Sequence, residues 1–589
     1  MKVSKLFRQP LLYFLILLAA SYFVLMLSGR AGISNVQVSR NGVTETASLP
    51  YAAEMAYNEV FTVSFNFSVK NTNAAKLHLV PDDCLKEIRI NGKAIHFNSE
   101  SGLCSYSQGA TVDFSKYVQK GTNLFEFRII NSGGGPGGLR IEKPYLGIST
   151  LSLMHFVFAF LLLMVIALIL KKFRFKWIPV LIILFGVGVR LIAYSYMGPM
   201  ENPYDVQAHL EYIEIVANEK RIPAADEAWS TYHPPLYYLI SAAVKNITSG
   251  FGAMLGDRAL QQIPLLLSFA CVILGVAFIL ALLGNNKASY LAALVAVSWS
   301  GFVFAAPRIG NDSLFYFGAL FCMYFAQKYW FTRKNSAILL ATLGAAIALA
   351  AKSSGLVILG IWGIIYILSV FRTFKTGSWK TLLASAFILA LFAGLSNHRM
   401  ILDVFEGKKP ELVGNAGGLH NGLKVQNAAG NYLYFDLKDY QLTPYTNAWE
   451  DRGGRQYFWN YALKSSLSLY REIRLMNYPL GRILATALNT LALFIFALAL
   501  WGLLHMKSRE IPAMLFTVFL FAALLYLRIS YPYASSGEFR YIFPVLFPIA
   551  CFAVRGTQTI NHSGLRKLSY TGMFVFSILS FIFVLSAKI

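Results

Sequence analysis

The chain has 589 residues, of which 56% are hydrophobic and only 14% charged, and its mean hydropathy is +0.52. Soluble domains carry roughly 25% charged residues, so the composition excludes an ordinary soluble protein and describes a polytopic α-helical membrane protein. A formal net charge of +23 would suit nucleic acid in a soluble chain. Here the basic residues fall mainly in short loops between apolar runs, which makes the charge a signal of topology and sets nucleic acid aside as a partner.

The first apolar run, about 10–28, follows Lys2, Lys5 and Arg8. A basic start and an apolar core also describe a cleaved signal peptide. The run approaches 20 residues and Leu27-Ser28-Gly29 is a weak cleavage site, so residues 1–29 are expected to be an uncleaved transmembrane anchor.

Residues 30–147 read as an all-β domain. Phe61, Val63, Phe65, Phe67 and Val69 alternate with polar residues, as in a half-buried strand. Ile88 and Ile90 lead into Asn91-Gly92, the preferred pair for a tight hairpin, and then to Ile95 and Phe97. Leu124–Ile129 is another strand, followed by a glycine-rich loop. The run DFSKYVQKGTNLFEFRI, then GGPGGL, resembles the last strands of jelly-roll, galactose-binding-like domains that accompany glycosidases. A structural β domain without a ligand is the alternative. Cys84 and Cys104 fall in this external domain, where oxidation is possible, and a disulfide between them and two free thiols are both left open. Cys271, Cys322 and Cys551 lie in apolar runs as inert core residues, and no Cys/His pattern has zinc-ligand spacing.

Twelve further apolar runs follow, at about 149–170, 177–197, 258–284, 288–306, 312–330, 336–351, 354–371, 380–396, 483–504, 511–529, 541–555 and 568–587. With the first they make thirteen candidate spans of a core roughly 30 Å thick. If the N-terminus is cytoplasmic, so are Lys171, Lys172, Arg174, Lys176, Lys287, Arg333, Lys334, Arg372, Lys375, Lys380, Lys507, Arg509, Arg555, Arg566 and Lys567. That is the positive-inside pattern. It divides the remainder into a membrane core at 148–396 with a first external loop at 198–257, an external segment at 397–482, and C-terminal helices at 483–589.

Within the first loop, Glu201–Ile240 holds seven carboxylates, His209 and His233. Charge beside a bilayer is costly unless it faces water or does chemistry. Asp205, His209 and Tyr212 fit one helical face, although a solvated acidic face explains the same spacing. The apolar PPLYYLISAAVKNI is too short to span without reversing every later basic loop, so it is expected to lie in the interface. The segment 397–482, with Trp449 and Trp459, is much longer than an ordinary helix connection. Its aromatic residues suit sugar stacking or interfacial anchoring.

This topology places four ionic sites on the external side: the Asp205 loop, Pro307–Asp312, Ala351–Gly355 and Ser536–Tyr541. Four on one side suggest an anionic group bound near the outer leaflet. An acidic residue in the first large external loop followed by His-Pro-Pro-Leu-Tyr-Tyr, then RIGNDSLFYF, AKSSGLVIL, FWNYALKSSLSLY and EFRYIFPVLFPIA in that order, resembles the GT-C glycosyltransferases. The similarity covers about 177–555 and is nearest the family of protein O-mannosyltransferases and bacterial lipid A aminoarabinose transferases, glycosyltransferase family thirty-nine. Asp205 is followed by Val206, where the protein mannosyltransferases usually have a paired Asp-Glu, and the β domain is an addition. Acceptor and subfamily therefore stay open.

The resemblance implies an enzyme of the plasma (inner) membrane with a cytoplasmic N-terminus, an extracytoplasmic active site and a polyprenyl-phosphate sugar as donor. Asp205 would be the general base, with Arg308, Lys352 and Arg540 on the donor phosphate. His209, Tyr232, His233, Asp312 and Glu538 would form the donor and acceptor pocket, Asp312 binding the acceptor or orienting a cation. The acceptor would be a glycolipid, polysaccharide or protein hydroxyl, attacked with inversion. No step demands a redox cofactor, and a divalent cation between Asp205 and His209 is left open. A transporter or flippase for polyprenyl-linked glycans is the rival reading, although no internal repeat is visible. A non-catalytic assembly subunit is the other.

Overall fold

Strict two-residue alternation of apolar side chains builds the first of two units into which the chain divides, Met1–Val165 and Ile166–Ile589. The structure is a computed structural model. It describes residues 32–142 with short interruptions, 177–197, 205–248, 253–373, 378–405, 421–444, 453–468 and 479–587. The expected spans at 10–28 and 149–170, and Trp449, lie outside the described residues.

In the first unit, β1 (Gly32–Arg40), β2 (Val43–Thr46), β4 (Glu59–Val69), β6 (Cys84–Ile90), β7 (Lys93–Ile95) and β10 (Gly121–Asn131) form an antiparallel sheet in the order β2-β1-β4-β10-β6-β7, with β8 (Leu103–Cys104) beside β6. A second sheet runs β3-β11-β5-β9, from β3 (Tyr51–Met55), β5 (Lys76–Asp82), β9 (Ala110–Asp113) and β11 (Gly135–Glu142). Inward residues of both sheets share one core, among them Phe65 and Phe67 of β4, Phe125 and Phe127 of β10, Leu77 of β5 and Ile141 of β11. The fold is thus a β sandwich. Phe65 lies opposite Phe125, their rings stacked at 5.5 Å. Asn91 and Gly92 take φ of 50° and 79°, as the two-residue hairpin turn requires. Cys84 is disulfide-bonded, and the strand register sets Cys104 opposite it.

The second unit is helical. Its described helices begin with α1 (Trp177–Tyr196), α2 (Val206–Glu219), α3 (Leu236–Thr248), α4 (Ala253–Leu283), α5 (Lys287–Ser298) and α6 (Ser300–Phe304). Next come α7 (Asp312–Thr332), α8 (Asn335–Ala351), α9 (Gly355–Thr373) and α10 (Trp379–Phe405). The short α11 (Gly430–Leu433) and α12 (Leu437–Leu442) precede α13 (Phe458–Ser468). The last are α14 (Pro479–Leu504), α15 (Ile511–Ser530), α16 (Leu546–Thr559) and α17 (Ser563–Ser586). Among the described residues, seven helical segments are long and apolar enough to cross a membrane. All eleven expected spans after the first two coincide with helix, but several are interrupted. The run at 288–306 breaks at Trp299 between α5 and α6. The run at 541–555 opens as a 3₁₀ turn, Phe539–Val545, containing Pro544, before α16 begins. Proline removes a backbone donor and resists a regular helix. The segment after α10 is also more structured than an external loop. In α13 every residue except Trp459 is buried, and a Cβ on Gly301 of α6 would stand 2.2 Å from the Ser466 carbonyl oxygen.

The α7–α8 hairpin near the ionic motifs is closely packed. A Cβ on Gly344 would lie 2.4 Å from the Cys322 backbone nitrogen, and one on Gly318 2.6 Å from that of Ala348. Small residues permit this approach, as between membrane helices generally. The antiparallel pairing brings Asp312, at the start of α7, beside Lys352, just past the end of α8. Gly344→Ala is expected to destabilise the protein by about 1–3 kcal/mol through overpacking. Thermal unfolding in detergent checks this, and an unchanged melting temperature would remove the close-approach role.

Candidate active site

Asp205 stands at the N-terminal end of α2 with φ 58° and ψ 2°. A non-glycine residue in this left-handed region is strained, and Asn and Asp tolerate it best. Its carbonyl accepts from the His209 N–H at 2.9 Å. Asp205 therefore caps the helix, and the expectation that it shares a face with His209 and Tyr212 inside the helix is corrected. Strain of this kind is retained where surrounding contacts over-determine the geometry, and those contacts are ionic.

The four ionic motifs converge. Asp205 Oδ2 lies 3.2 Å from Arg540 Nη2 and 3.8 Å from Arg308 Nη2. Arg308 Nη1 reaches Asp312 Oδ2 at 3.2 Å, Lys352 Nζ pairs with Asp312 Oδ1, and Arg540 Nε pairs with Glu538 Oε2. The result is one continuous ladder, Glu538–Arg540–Asp205–Arg308–Asp312–Lys352, three cations against three carboxylates. The side chains of Arg308, Arg540, Asp312 and Glu538 are at most 9% exposed, whereas that of Asp205 is 36% exposed. Of the six groups, Asp205 is the one presented outward. Tyr541 floors the cluster, its ring centre 4.5 Å from Lys352 Nζ and 5.1 Å from Arg540 Cζ. The Tyr316 hydroxyl donates to the Arg540 carbonyl at 2.6 Å and steadies the 3₁₀ turn.

The Tyr-His-Pro-Pro turn packs beside this ladder. Tyr232 packs on His233 with tilted rings, 4.0 Å between ring centres, and His233 faces His209 at 6.0 Å. His209 Nδ1 and the Tyr238 hydroxyl are 2.8 Å apart, and Tyr238 stacks on Tyr212 at 3.7 Å. The Gly310 N–H donates to the Tyr237 hydroxyl at 3.0 Å. A Cβ on Gly310 would lie 3.1 Å from both Arg308 Nη1 and His209 Nε2, so only glycine fits between them comfortably. His233 Nδ1 is buried without a hydrogen-bond partner among the described residues.

These surroundings set the protonation states. Burial pushes the Asp205 carboxyl up, but the Arg540 and Arg308 guanidiniums outweigh it and hold the group well below the usual carboxylate range. Burial, reinforced by Arg308, pushes His209 down to about 3, so its imidazole is neutral at pH 7. Burial, then Lys352, moves His233 well below the ordinary histidine value. Lys352 is itself lowered by burial, against the pull of Asp312.

Every residue expected at the site from the sequence lies in this cluster or in the aromatic turn beside it. Trp229 was missed: its Nε1–H points to Asp205 Oδ1 at 3.4 Å, and its ring is 38% exposed. The available signal was a tryptophan four residues before His-Pro-Pro's histidine, inside the same acidic loop. Tyr541 was missed as a role, although it adjoins Arg540. Among the described residues, no three His, Cys, Asp or Glu side chains gather as a metal site.

Fold and site together define a polytopic helical membrane protein with a buried ionic cluster open at one carboxylate. No protein-family model and no curated protein matches the chain. Solved structures similar to it include ArnT from Cupriavidus metallidurans bound to undecaprenyl phosphate, at 13% identity over 66% of this chain and 62% of that one, with a TM-score of 0.39. Another is the oligosaccharyltransferase AglB from Archaeoglobus fulgidus in complex with an inhibitory peptide and a dolichol-phosphate, at 11% identity over 71% and 56% of the two chains, with a TM-score of 0.42. A third is the arabinosyltransferase EmbB from Mycobacterium smegmatis, at 12% identity over 91% and 52%, with a TM-score of 0.36. The chain thus spans 62% and 56% of the first two.

Below about pH 6.5 an unfolded histidine takes up a proton that folded His209 refuses until about pH 3. The folded state therefore loses stability as pH falls from about 6.5, and Asp205 acts in the same direction below about pH 3.9. The melting temperature is expected to drop between pH 7 and pH 5, and His209→Asn to flatten that drop. Equal slopes in wild type and variant would count against a buried neutral His209. Trp229→Phe keeps an aromatic, though smaller, ring and removes the donor to Asp205. It should change the pH profile of whatever reaction Asp205 supports more than it changes substrate affinity, as pH-resolved kinetics would show.

Proposed function

We propose that this chain is a membrane glycosyltransferase that moves a sugar from a polyprenyl-phosphate donor to an acceptor hydroxyl at the extracytoplasmic face of the plasma membrane. One observation carries the reading: four ionic motifs far apart in the chain form one cluster, and its outward carboxylate is Asp205. Nucleotide sugars are not generally available outside the cytoplasm, so a bilayer-dissolved donor suits a catalytic group at that face. A disulfide-bonded Cys84 suits an oxidising compartment for the β sandwich, whose sequence resembles jelly-roll domains of glycosidases.

In this mechanism the donor phosphate binds Arg308, Arg540 and Lys352, cations that presently neutralise Asp205, Asp312 and Glu538. Guanidiniums pair readily with phosphate oxygens. A phosphate engaging Arg540 and Arg308 draws them away from Asp205 and raises the basicity of its carboxylate. Asp205 then takes the acceptor hydroxyl proton as the oxygen attacks the anomeric carbon. The bond from that carbon to the phosphate oxygen breaks, inverting the centre, and the polyprenyl phosphate leaves with charge stabilised by the same cations. His209, Tyr232 and His233 line the donor side, and neutral His233 has a buried ring nitrogen for a sugar hydroxyl. Asp312 holds Lys352 and Arg308 in place, and Glu538 holds Arg540. Acceptors of this chemistry are hydroxyls of glycolipid, polysaccharide or protein.

Asp205→Asn, folded normally, is expected to lower transfer from a polyprenyl-phosphate sugar by about 10²–10⁴-fold, the usual contribution of a general base. Turnover at the wild-type rate would sink the assignment. Arg308→Ala and Arg540→Ala should each weaken donor binding in a direct binding measurement. Unchanged affinity in both would remove them from the phosphate site.

A further inference from the structure

The segment 397–482 reads from sequence as a long external loop, yet α12 is bonded to the flank of a candidate membrane-spanning helix. Asn489 of α14 donates through Nδ2 to the carbonyls of Tyr440 and Pro444 at 3.2 and 3.1 Å, and the Tyr440 hydroxyl donates to the Asn489 carbonyl at 3.1 Å. The Thr486 hydroxyl donates to the Gln441 carbonyl at 3.3 Å, and that of Thr490 to Gln441 Oε1 at 3.1 Å. Leu480–Leu504 is a candidate span of 25 residues, roughly 36 Å long at 1.5 Å per residue. Asn489 lies nine residues beyond Leu480, roughly 14 Å along the axis. Even if the whole excess over a hydrocarbon core of about 30 Å projects at the Leu480 end, Asn489 sits roughly 8 Å inside the core.

At that depth α11 and α12 expose three leucines, with Lys438 exposed beside Leu437 on a stem long enough to carry its charge toward the interface. Leu433 is 84% exposed, Leu437 56% and Leu442 68%, with Tyr434 at 51%. The carbonyls at the end of α12 are satisfied internally, as non-helical backbone at membrane depth requires. Asn489 and Thr486 hold the carbonyls of Tyr440, Gln441 and Pro444, and Asp439 is paired with fully buried Lys464 at 2.7 Å and with Asn460 at 2.9 Å. Exposed leucines are costly in water, and internally satisfied carbonyls are what lipid demands, so both observations select lipid. We propose that α11 and α12 form a re-entrant lip whose leucine face is seated in the acyl chains of the bilayer leaflet at the active-site end of the helical unit. The lip is tied to that site: Lys464 lies in α13, and the neighbouring Ser465 hydroxyl accepts the Phe539 N–H at 2.9 Å, one residue from Arg540.

The test places a nitroxide at Leu433→Cys, Leu437→Cys and Leu442→Cys, one per variant, in phosphatidylcholine nanodiscs. Cys271, Cys322 and Cys551 are buried, which limits background labelling. Collision with oxygen, which concentrates in acyl chains, is compared with collision with a water-soluble nickel chelate. Leu500→Cys, 62% exposed on α14, is the lipid reference, and Tyr57→Cys, 70% exposed in the β sandwich, is the aqueous one. The three lip positions are expected to match Leu500→Cys. Nickel accessibility like that of Tyr57→Cys would overturn the proposal. So would exclusion of both quenchers, which would mean that protein covers the face. These substitutions are at exposed positions, and failure of one to fold leaves the other two decisive.

Discussion

Charge buried in a low-dielectric interior must be paired, and the ladder centred on Asp205 meets that constraint with groups from four separate stretches of chain. Isolated ionised groups away from water are expensive, whereas breaking one member of a buried pair leaves its partner uncompensated. Arg308 and Arg540 each touch two carboxylates, so neither can move without disturbing both. This coupling fixes the start of α2, the turn before α7, the end of α8 and the 3₁₀ turn before α16 to one another. The left-handed backbone of Asp205 and the glycine at 310 are local consequences of the same crowding.

Around the ladder, the helical unit spends its polar side chains on holding irregular backbone. Arg528 is fully buried and donates to the carbonyls of Tyr533, Ala534 and Arg455. Asn311 donates to the Ala351 carbonyl at 3.0 Å and joins the turn carrying Arg308 to the one carrying Lys352. Such bonds are costly to lose where no water can replace them. They permit short non-helical turns inside a helical membrane protein, and those turns present Arg308, Lys352 and Arg540. Regular helices would have directed these side chains along their own faces.

The β strands were legible because Phe61, Phe65 and Phe67 repeat every second residue, and Asn91-Gly92 announced its hairpin. The helical runs were legible from apolar length. Their interruptions at Trp299 and before α16 were not, because hydropathy averages over a break that leaves composition unchanged. The burial of α13 was hidden for a related reason. Its sequence, with Lys464, Asn460 and three serines, looks external until Asp439 is seen to pair with Lys464 and Asn460, and Trp299 and the Phe539 N–H to donate to Ser466 and Ser465. Trp229 was overlooked because an indole beside a membrane has an ordinary anchoring role, and only its direction toward Asp205 says otherwise.

By itself the sequence determined the membrane class, the main strands of the β domain, the apolar helical runs and the candidate charged residues, since all of these depend on local composition and period. It also supplied the ordered motifs behind the GT-C resemblance. The tertiary structure decided which charges meet. Asp205 and Arg540 are separated by most of the helical unit in sequence, yet they pair; the close α7–α8 crossing at Gly318 and Gly344 sets Asp312 beside Lys352, and the Tyr316 hydroxyl holds the turn carrying Arg540. Pairing energies depend on distance and dielectric, and neither is written in residue order. Of seven carboxylates in one acidic loop, the fold brings Asp205 to the two arginines and leaves it open on one side.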